Sequence, residues 1–267
     1  MTGHARAPQV ASEAIECWRT TMIDALRSGG MSGPKARRSL AGLEDDLRWI
    51  AARLHDDHGS PHLENFSDPT DEFIFIVLSR KTAERAYTRA FKSLKQSGSW
   101  QQVLDLGERR IEAAIYGCGL ESKKAHAIVA GLQTIVDRFG AADLSRADNL
   151  ADDDLFAFLS ALPEVGPKSS RCVMLYSFGR AAFPVDAHVG RVLARVGCMR
   201  VIGLELLPMG HKERQRILER PIPPDLRFGL HVNLVAHGRS ICKATSPACH
   251  ECVLALRCQS FSAFTTR

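Results

Sequence analysis

The sequence predicts an all-α fold, and three observations support that expectation. Apolar residues recur at helical spacing, as in Ala83, Ala86, Tyr87, Ala90, Phe91 and Leu94, and again in Ala125, Ile128, Val129, Leu132, Ile135, Val136 and Phe139. One run, Glu72 to Ser79 (EFIFIVLS), has the apolar, β-rich character of a buried strand, but no other convincing strand exists to pair with it. Gly and Pro punctuate the boundaries, at Gly59 to Pro61, at Asp68-Pro69, at Cys118-Gly119 and from Pro221 to Pro224.

Taken in order, residues 1–39 form an extension with one short amphipathic helix (Ile15, Trp18, Met22, Leu26) and a Gly/Ser/basic linker over residues 28–39. The N-terminus has no apolar signal core, and no stretch approaches the roughly 20 apolar residues of a membrane span. A helix near 40–58 follows, then the 72–79 run read as a core helix, then the two periodic helices above. No internal repeat interrupts this order.

Next comes a hairpin. Leu162 to Lys168 (LPEVGPK) is a Pro- and Gly-containing turn between apolar helical patterns, and reads as a helix–hairpin–helix. Such a turn exposes backbone N–H groups at a helix N-terminus, where a phosphate binds without its sequence being read. Lys168 lies just inside the second helix, and Asp186 follows eighteen residues later in FPVDAHVGRV (Phe183 to Val192). An amine and a carboxylate beside a phosphate-binding turn point to chemistry on a nucleic-acid backbone.

Eight cysteines are present, and four of them, Cys242, Cys249, Cys252 and Cys258, form a C-x6-C-x2-C-x5-C array within seventeen residues. In a reducing compartment clustered cysteines indicate a metal centre rather than disulfides. Their spacing leaves zinc and iron–sulfur both open, since it matches neither paired zinc ligands nor the ferredoxin patterns. His250 is a competing ligand, although four thiolates complete a site. Cys17, Cys118, Cys172 and Cys198 are scattered singly and read as small core fillers.

Charge divides unevenly along the chain. Residues 162–267 hold 15 Lys+Arg against 7 Asp+Glu, while residues 1–161 hold 20 against 23. The basic half is the half with the hairpin and the cysteines, as phosphate neutralisation requires.

Together these motifs resemble the endonuclease III-type DNA glycosylases of the helix–hairpin–helix family. NFSDP (Asn65 to Pro69), the LS at Leu78, GLESKKA from Gly119, the hairpin, the VD segment and the cysteines occur in the family's order over roughly residues 40–258. The resemblance implies two helical lobes around a DNA cleft. A six-helix barrel with the hairpin would span 68–180, and 40–67 with 181–267 would form the cluster lobe. It also implies a four-iron four-sulfur (4Fe-4S) cluster on the four clustered cysteines, preceded by HVNLVAHGRSIC (His231 to Cys242). Lys168 becomes the nucleophile that forms a Schiff base with deoxyribose, and Asp186 its partner. The positive end of the Lys168 helix is expected to lower the amine's pKa. The implied partner is double-stranded DNA with a damaged or modified base, bound by a cytoplasmic, nucleoid-associated monomer.

The implied DNA contacts are Val165, Gly166 and Ser169 at the hairpin, His188 and Arg191 after Asp186, and Lys243 in the cysteine loop. Leu120 matches a leucine that wedges into the duplex in relatives, and Lys81 stands where relatives have a glutamine that enters the vacated site. Arg80 and Lys81 are read as contacts to the orphan base or its phosphates, with exposed helix charges as the alternative. Glu164 replaces the usual hairpin glycine, a change expected to be tolerable if the backbone there is not left-handed. Phe75 stands where the adenine-removing branch has a catalytic glutamate, which argues for a damaged pyrimidine as substrate. The segment Phe183 to Gly197 is also similar to plant DEMETER-type glycosylases, which remove 5-methylcytosine, so a modified pyrimidine is the alternative. Of other classes, a non-catalytic DNA-binding module is disfavoured by the presence of both Lys168 and Asp186. An electron-transfer protein is disfavoured by the absence of ferredoxin spacing or a flavin motif.

Overall fold

The computed structural model describes residues 40–198, 215 and 218–265, and the predicted helix around Trp18 lies outside them. Among the described residues every regular element is helical. The chain runs through α1 (Leu40–His58), α2 (Pro69–Ser79), α3 (Glu84–Gln96), α4 (Trp100–Leu106), α5 (Glu108–Ala114), α6 (Glu121–Phe139), α7 (Asp152–Ala161), α8 (Pro167–Tyr176), α9 (Ala187–Val196), α10 (Arg227–Ser240) and α11 (Phe261–Thr265). Short 3-10 turns at Leu144–Asn149, Pro224–Leu226, Cys249–Glu251 and Ala255–Arg257 join them.

The run Glu72 to Ser79 is helical because of what precedes it. The Asp68 carboxylate accepts hydrogen bonds from the Thr70 and Asp71 N–H groups, and Pro69 supplies a helical φ at the first position. Being apolar on nearly every side, α2 is surrounded. It packs on α3, α6 and α8, and Phe73, Ile74, Val77 and Leu78 are fully buried. Gly131 in α6 permits this closeness, since a Cβ there would stand 2.3 Å from Phe73 Cζ. Asp71 ties the start of α2 to α3 and α4, accepting from Lys95 Nζ (2.8 Å) and Trp100 Nε1 (2.7 Å).

Two hydrophobic cores result. The first gathers buried side chains from Phe73 to Ala182, drawn from α2 to α8. The second joins distant parts of the chain. Leu43, Leu47, Ile50 and Leu54 form a stripe on α1 that packs on α10, and α9 adds Val189, Val192, Leu193 and Val196. Each fully buried leucine in these stripes is worth about 2 kcal/mol of transfer free energy. Cys242, Cys252 and Cys258 lie against this second core.

Between the cores runs the segment leading to Asp186. The half-buried Glu219 side chain accepts from Arg171 Nε on α8 (2.7 Å) and from the Phe183 N–H (2.8 Å). No helix among the described residues is long and apolar enough to cross a membrane.

Candidate nucleic-acid interface and active site

The hairpin forms as a helix, a tight turn and a second helix. α7 ends at Ala161, the Val165 N–H closes the turn on the Leu162 carbonyl at 3.1 Å, and α8 starts after Gly166 with Pro167 at its first position. This corrects the expectation for Val165, whose amide is used internally and whose side chain is buried. The open donors are instead the amides of Gly166, Lys168 and Ser169, which meet no acceptor among the described residues. Three N–H groups at the positive end of a ten-residue helix make a site for an anion.

Glu164 has φ +65°, so the hairpin does need a left-handed residue at that position, contrary to the condition set for tolerating a glutamate. Arg80 supports the strained residue. It donates to the Glu164 carbonyl at 2.9 Å and pairs with the Glu164 carboxylate.

Lys168 is exposed to solvent as a residue, while its ammonium lies among protein groups that act on it electrostatically. Negative charge around it, from Cys172 first and then Asp186 and Glu72, raises its pKa above the usual lysine value against the opposing effect of burial. The lowering expected from the helix terminus is therefore reversed. Burial pushes the Cys172 thiol up, against the opposing effect of the neighbouring Lys168 ammonium. Asp186 caps α9, its Oδ1 accepting from the Val189 N–H at 2.8 Å, and also interacts electrostatically with Lys168.

Sequence reasoning missed several neighbours. Glu72 is fully buried, accepts from Asn65 Nδ2 (2.6 Å) and the Phe66 N–H (2.9 Å), and has its pKa raised by burial. A carboxylate leading directly into the apolar run Phe73 to Leu78 was the signal that could have found it. His231 is buried, with Nδ1 at 2.9 Å from the Pro184 carbonyl, and burial lowers its pKa to about 4. At neutral pH it is therefore uncharged and donates from Nδ1. Tyr176 stands edge-on to His231, its phenol pushed up by burial. Phe75 packs among Phe66, Tyr87 and Phe91, so α2 presents an aromatic ring at that position.

Two further turns hold the remaining predicted contacts. Lys81, exposed with φ +50°, follows α2, and Leu120, with φ +58° and 47% exposure, precedes α6. The Glu121 carboxylate accepts from the Gly117 and Gly119 N–H groups (2.9 and 3.0 Å), and its own backbone N–H together with these holds its pKa low. Buried Lys124 joins the two turns, donating to Leu78 O (2.7 Å), Cys118 O (3.1 Å) and Thr82 Oγ1. Ser169 is half-buried and Lys243 exposed. Arg191, half-buried, donates to the carbonyls of Cys242 and Gly238 (2.9 and 2.8 Å) and contacts His188 Nδ1 at 3.0 Å, so it braces the start of the cysteine loop.

Cys242, Cys249, Cys252 and Cys258 are free thiols lining one cavity, together with Ile241, Pro247, Ala255, Phe261 and Phe264. Burial raises the Cys252 thiol to about 11 and moves Cys258 in the same direction. Arg195 Nη1 donates to Cys242 Sγ at 3.4 Å, and His237 Nε2 lies 3.5 Å from Cys252 Sγ. Four thiols around one cavity fit a metal centre of several ions better than one tetrahedral ion, since among the described residues no three of these sulfurs lie within 4.8 Å of one another. Cys118, Cys172 and Cys198 are buried singly, and Cys17 lies outside the described residues.

The chain is 33% identical over 176 residues to a putative DNA glycosylase of Arabidopsis thaliana, covering 65% of this chain and spanning 58% of the plant protein. It is 28% identical over 220 residues to endonuclease III of Thermotoga maritima, covering 82% and 93% of the two chains. A solved endonuclease III trapped in a covalent intermediate with DNA superposes with a TM-score of 0.68 at 25% identity, over 82% of this chain and 97% of that one. The family model of the HhH-GPD superfamily base excision DNA repair proteins matches residues 74–224, more than half of the sequence, and the chain belongs to that family.

Proposed function

We propose that the protein is a bifunctional DNA glycosylase and AP lyase that removes a damaged pyrimidine and cleaves the strand by β-elimination. The observation that carries this reading is the placement of Lys168 one residue inside an uncapped helix start, with Asp186 acting on it from the next helix. The open amides of Gly166, Lys168 and Ser169 would hold a backbone phosphate, bringing C1′ of the flipped nucleotide to the amine. Because Lys168 rests as an ammonium, its proton must leave first, and the Asp186 carboxylate is the acceptor. The free amine bonds to C1′ as the base departs with the electrons of the glycosidic bond. Ring opening gives an iminium, and loss of a 2′ proton then expels the 3′ phosphate. Leu120 would fill the gap in the duplex, with Lys81 facing the orphan base.

The two hydrophobic cores support a division into a barrel lobe, residues 68–180, and a cluster lobe, residues 40–67 with 181–267. Cys242, Cys249, Cys252 and Cys258 would hold a four-iron four-sulfur cluster, which when bound ties the C-terminal loop together as a structural centre. Iron and sulfide analysis of anaerobically prepared protein tests this, and stoichiometric zinc without iron would overturn it. The activity is tested by borohydride trapping on duplexes containing thymine glycol, 5-hydroxycytosine, 5-methylcytosine, or adenine opposite 8-oxoguanine. Trapping is expected on the oxidised pyrimidines, whose lost stacking eases flipping. Trapping on 5-methylcytosine alone would reverse the substrate assignment.

A further inference from the structure

Four non-glycine residues among those described have left-handed backbones, and Glu164 is the one on the phosphate-binding hairpin. It presents two difficulties for an anion site. Its φ of +65° favours glycine, and its carboxylate, 43% exposed, stands two residues from the open Gly166 amide. A carboxylate beside a phosphate is repulsive, and the partly exposed position does not remove that repulsion at low salt.

Arg80 answers both difficulties. From the end of α2, 84 residues earlier in sequence, its Nη1 reaches the Glu164 carbonyl and carboxylate. One guanidinium thus holds the turn by its backbone and cancels the charge on its side chain. With its donor on Glu164, that nitrogen is not presented to a duplex.

We propose that Arg80 is a positioning residue for the phosphate site that acts through Glu164, holding the strained turn and neutralising its carboxylate, and that it is not itself a DNA contact. This inference rests on the DNA-binding reading above.

A mutant cycle tests it, with affinity for a duplex containing a tetrahydrofuran abasic analogue measured by fluorescence anisotropy at low salt. Arg80→Ala leaves the carboxylate bare, and is expected to weaken binding about tenfold. Glu164→Gly removes both the charge and the left-handed strain, and is expected to tighten binding a few-fold, on the order of twofold to fivefold. The decisive variant is the double one. If Arg80 acts through Glu164, adding Arg80→Ala to Glu164→Gly costs less than about threefold. Recovery of binding by deleting a second side chain is not an effect that general loss of structure produces. Glu164→Gln, which keeps the side chain and drops the charge, should also rescue Arg80→Ala for the most part. An equal tenfold loss in both backgrounds would make Arg80 a direct DNA contact and overturn the inference, as would an Arg80→Ala protein that binds like wild type. Wild-type protein with no affinity for the duplex would instead overturn the DNA-binding reading on which the inference rests.

Discussion

Helices α2 and α8 begin alike and are finished differently. Each has a proline at its first position, Pro69 and Pro167. Asp68 closes the first, accepting two N–H bonds at 2.8 and 2.9 Å, whereas Gly166 offers the second no side chain. Glycine at 166 is not required by the free protein. Its φ of −99° suits any residue, and a Cβ there would meet no atom within 4 Å. A serine or aspartate would fit and would cap the helix. The bare position leaves the amide end of α8 to be completed by something other than the protein. The third start, α9, combines the two, because Asp186 caps its helix and also faces Lys168.

The comparison breaks most severely at Lys168. Lys168→Gln should eliminate borohydride trapping while leaving the protein able to bind duplex, and a mutant that still traps would move the nucleophile elsewhere. Asp186→Asn separates the two duties of the third start. Asparagine caps about as well as aspartate, so the melting temperature should hold while base release falls by about 10²-fold to 10⁴-fold in single-turnover assays.

Gly166→Asp converts the open start into a copy of the closed one. Melting should stay level or rise slightly, and affinity for an abasic-analogue duplex should fall about tenfold or more as a carboxylate takes the anion's place. Unchanged affinity would show that these amides do not hold a phosphate. His231 sharpens the picture around Asp186, since it bonds to Pro184 two residues earlier. Its folded pKa of about 4 lies below the usual 6.5, so only the unfolded chain takes up its proton as pH falls between those values. Stability from this residue is complete above pH 6.5 and should drop by about 2 kcal/mol between pH 7 and pH 5. Urea melts of wild type and His231→Gln at both pH values would measure the difference. The smallest effect is expected at the closed start, where Asp68→Ala should cost about 1 kcal/mol of stability with duplex affinity retained.

Much of this was legible in the sequence, because periodicity and turn chemistry are local. The α6 stripe, the Pro-Gly hairpin and the cysteine array need only neighbours along the chain to be recognised. An interaction of Asp186 with Lys168 was expected from the motifs that hold them, and Asp186 does act electrostatically on the amine. Other features depend on contacts across the fold. The direction of the Lys168 shift was misjudged because the helix terminus was weighed alone, whereas Cys172, Asp186 and Glu72 outweigh it. The Arg80 pairing was not legible because Glu164 is 84 residues away, and the Arg191 hydrogen bonds were not because their carbonyl partners lie about 50 residues downstream. Glu72 was hidden inside an apolar run whose helical geometry turns it toward Asn65 and Phe66.

The packing of α1 on α10 has a consequence for how the protein is made. Arg48 pairs with Asp225, 177 residues later, and Asp46 with Arg257, 211 residues later. At translation rates of about 5 to 20 residues per second, the ribosome needs roughly 10 to 40 seconds after α1 emerges to deliver these partners. Meanwhile the first core, built from a continuous stretch between Phe73 and Ala182, can close on its own. For that interval Leu43, Leu47, Ile50 and Leu54 are an uncovered greasy stripe on a nascent chain. A holding chaperone would have most to protect in α1, although it is the earliest helix of the described fold to be synthesised.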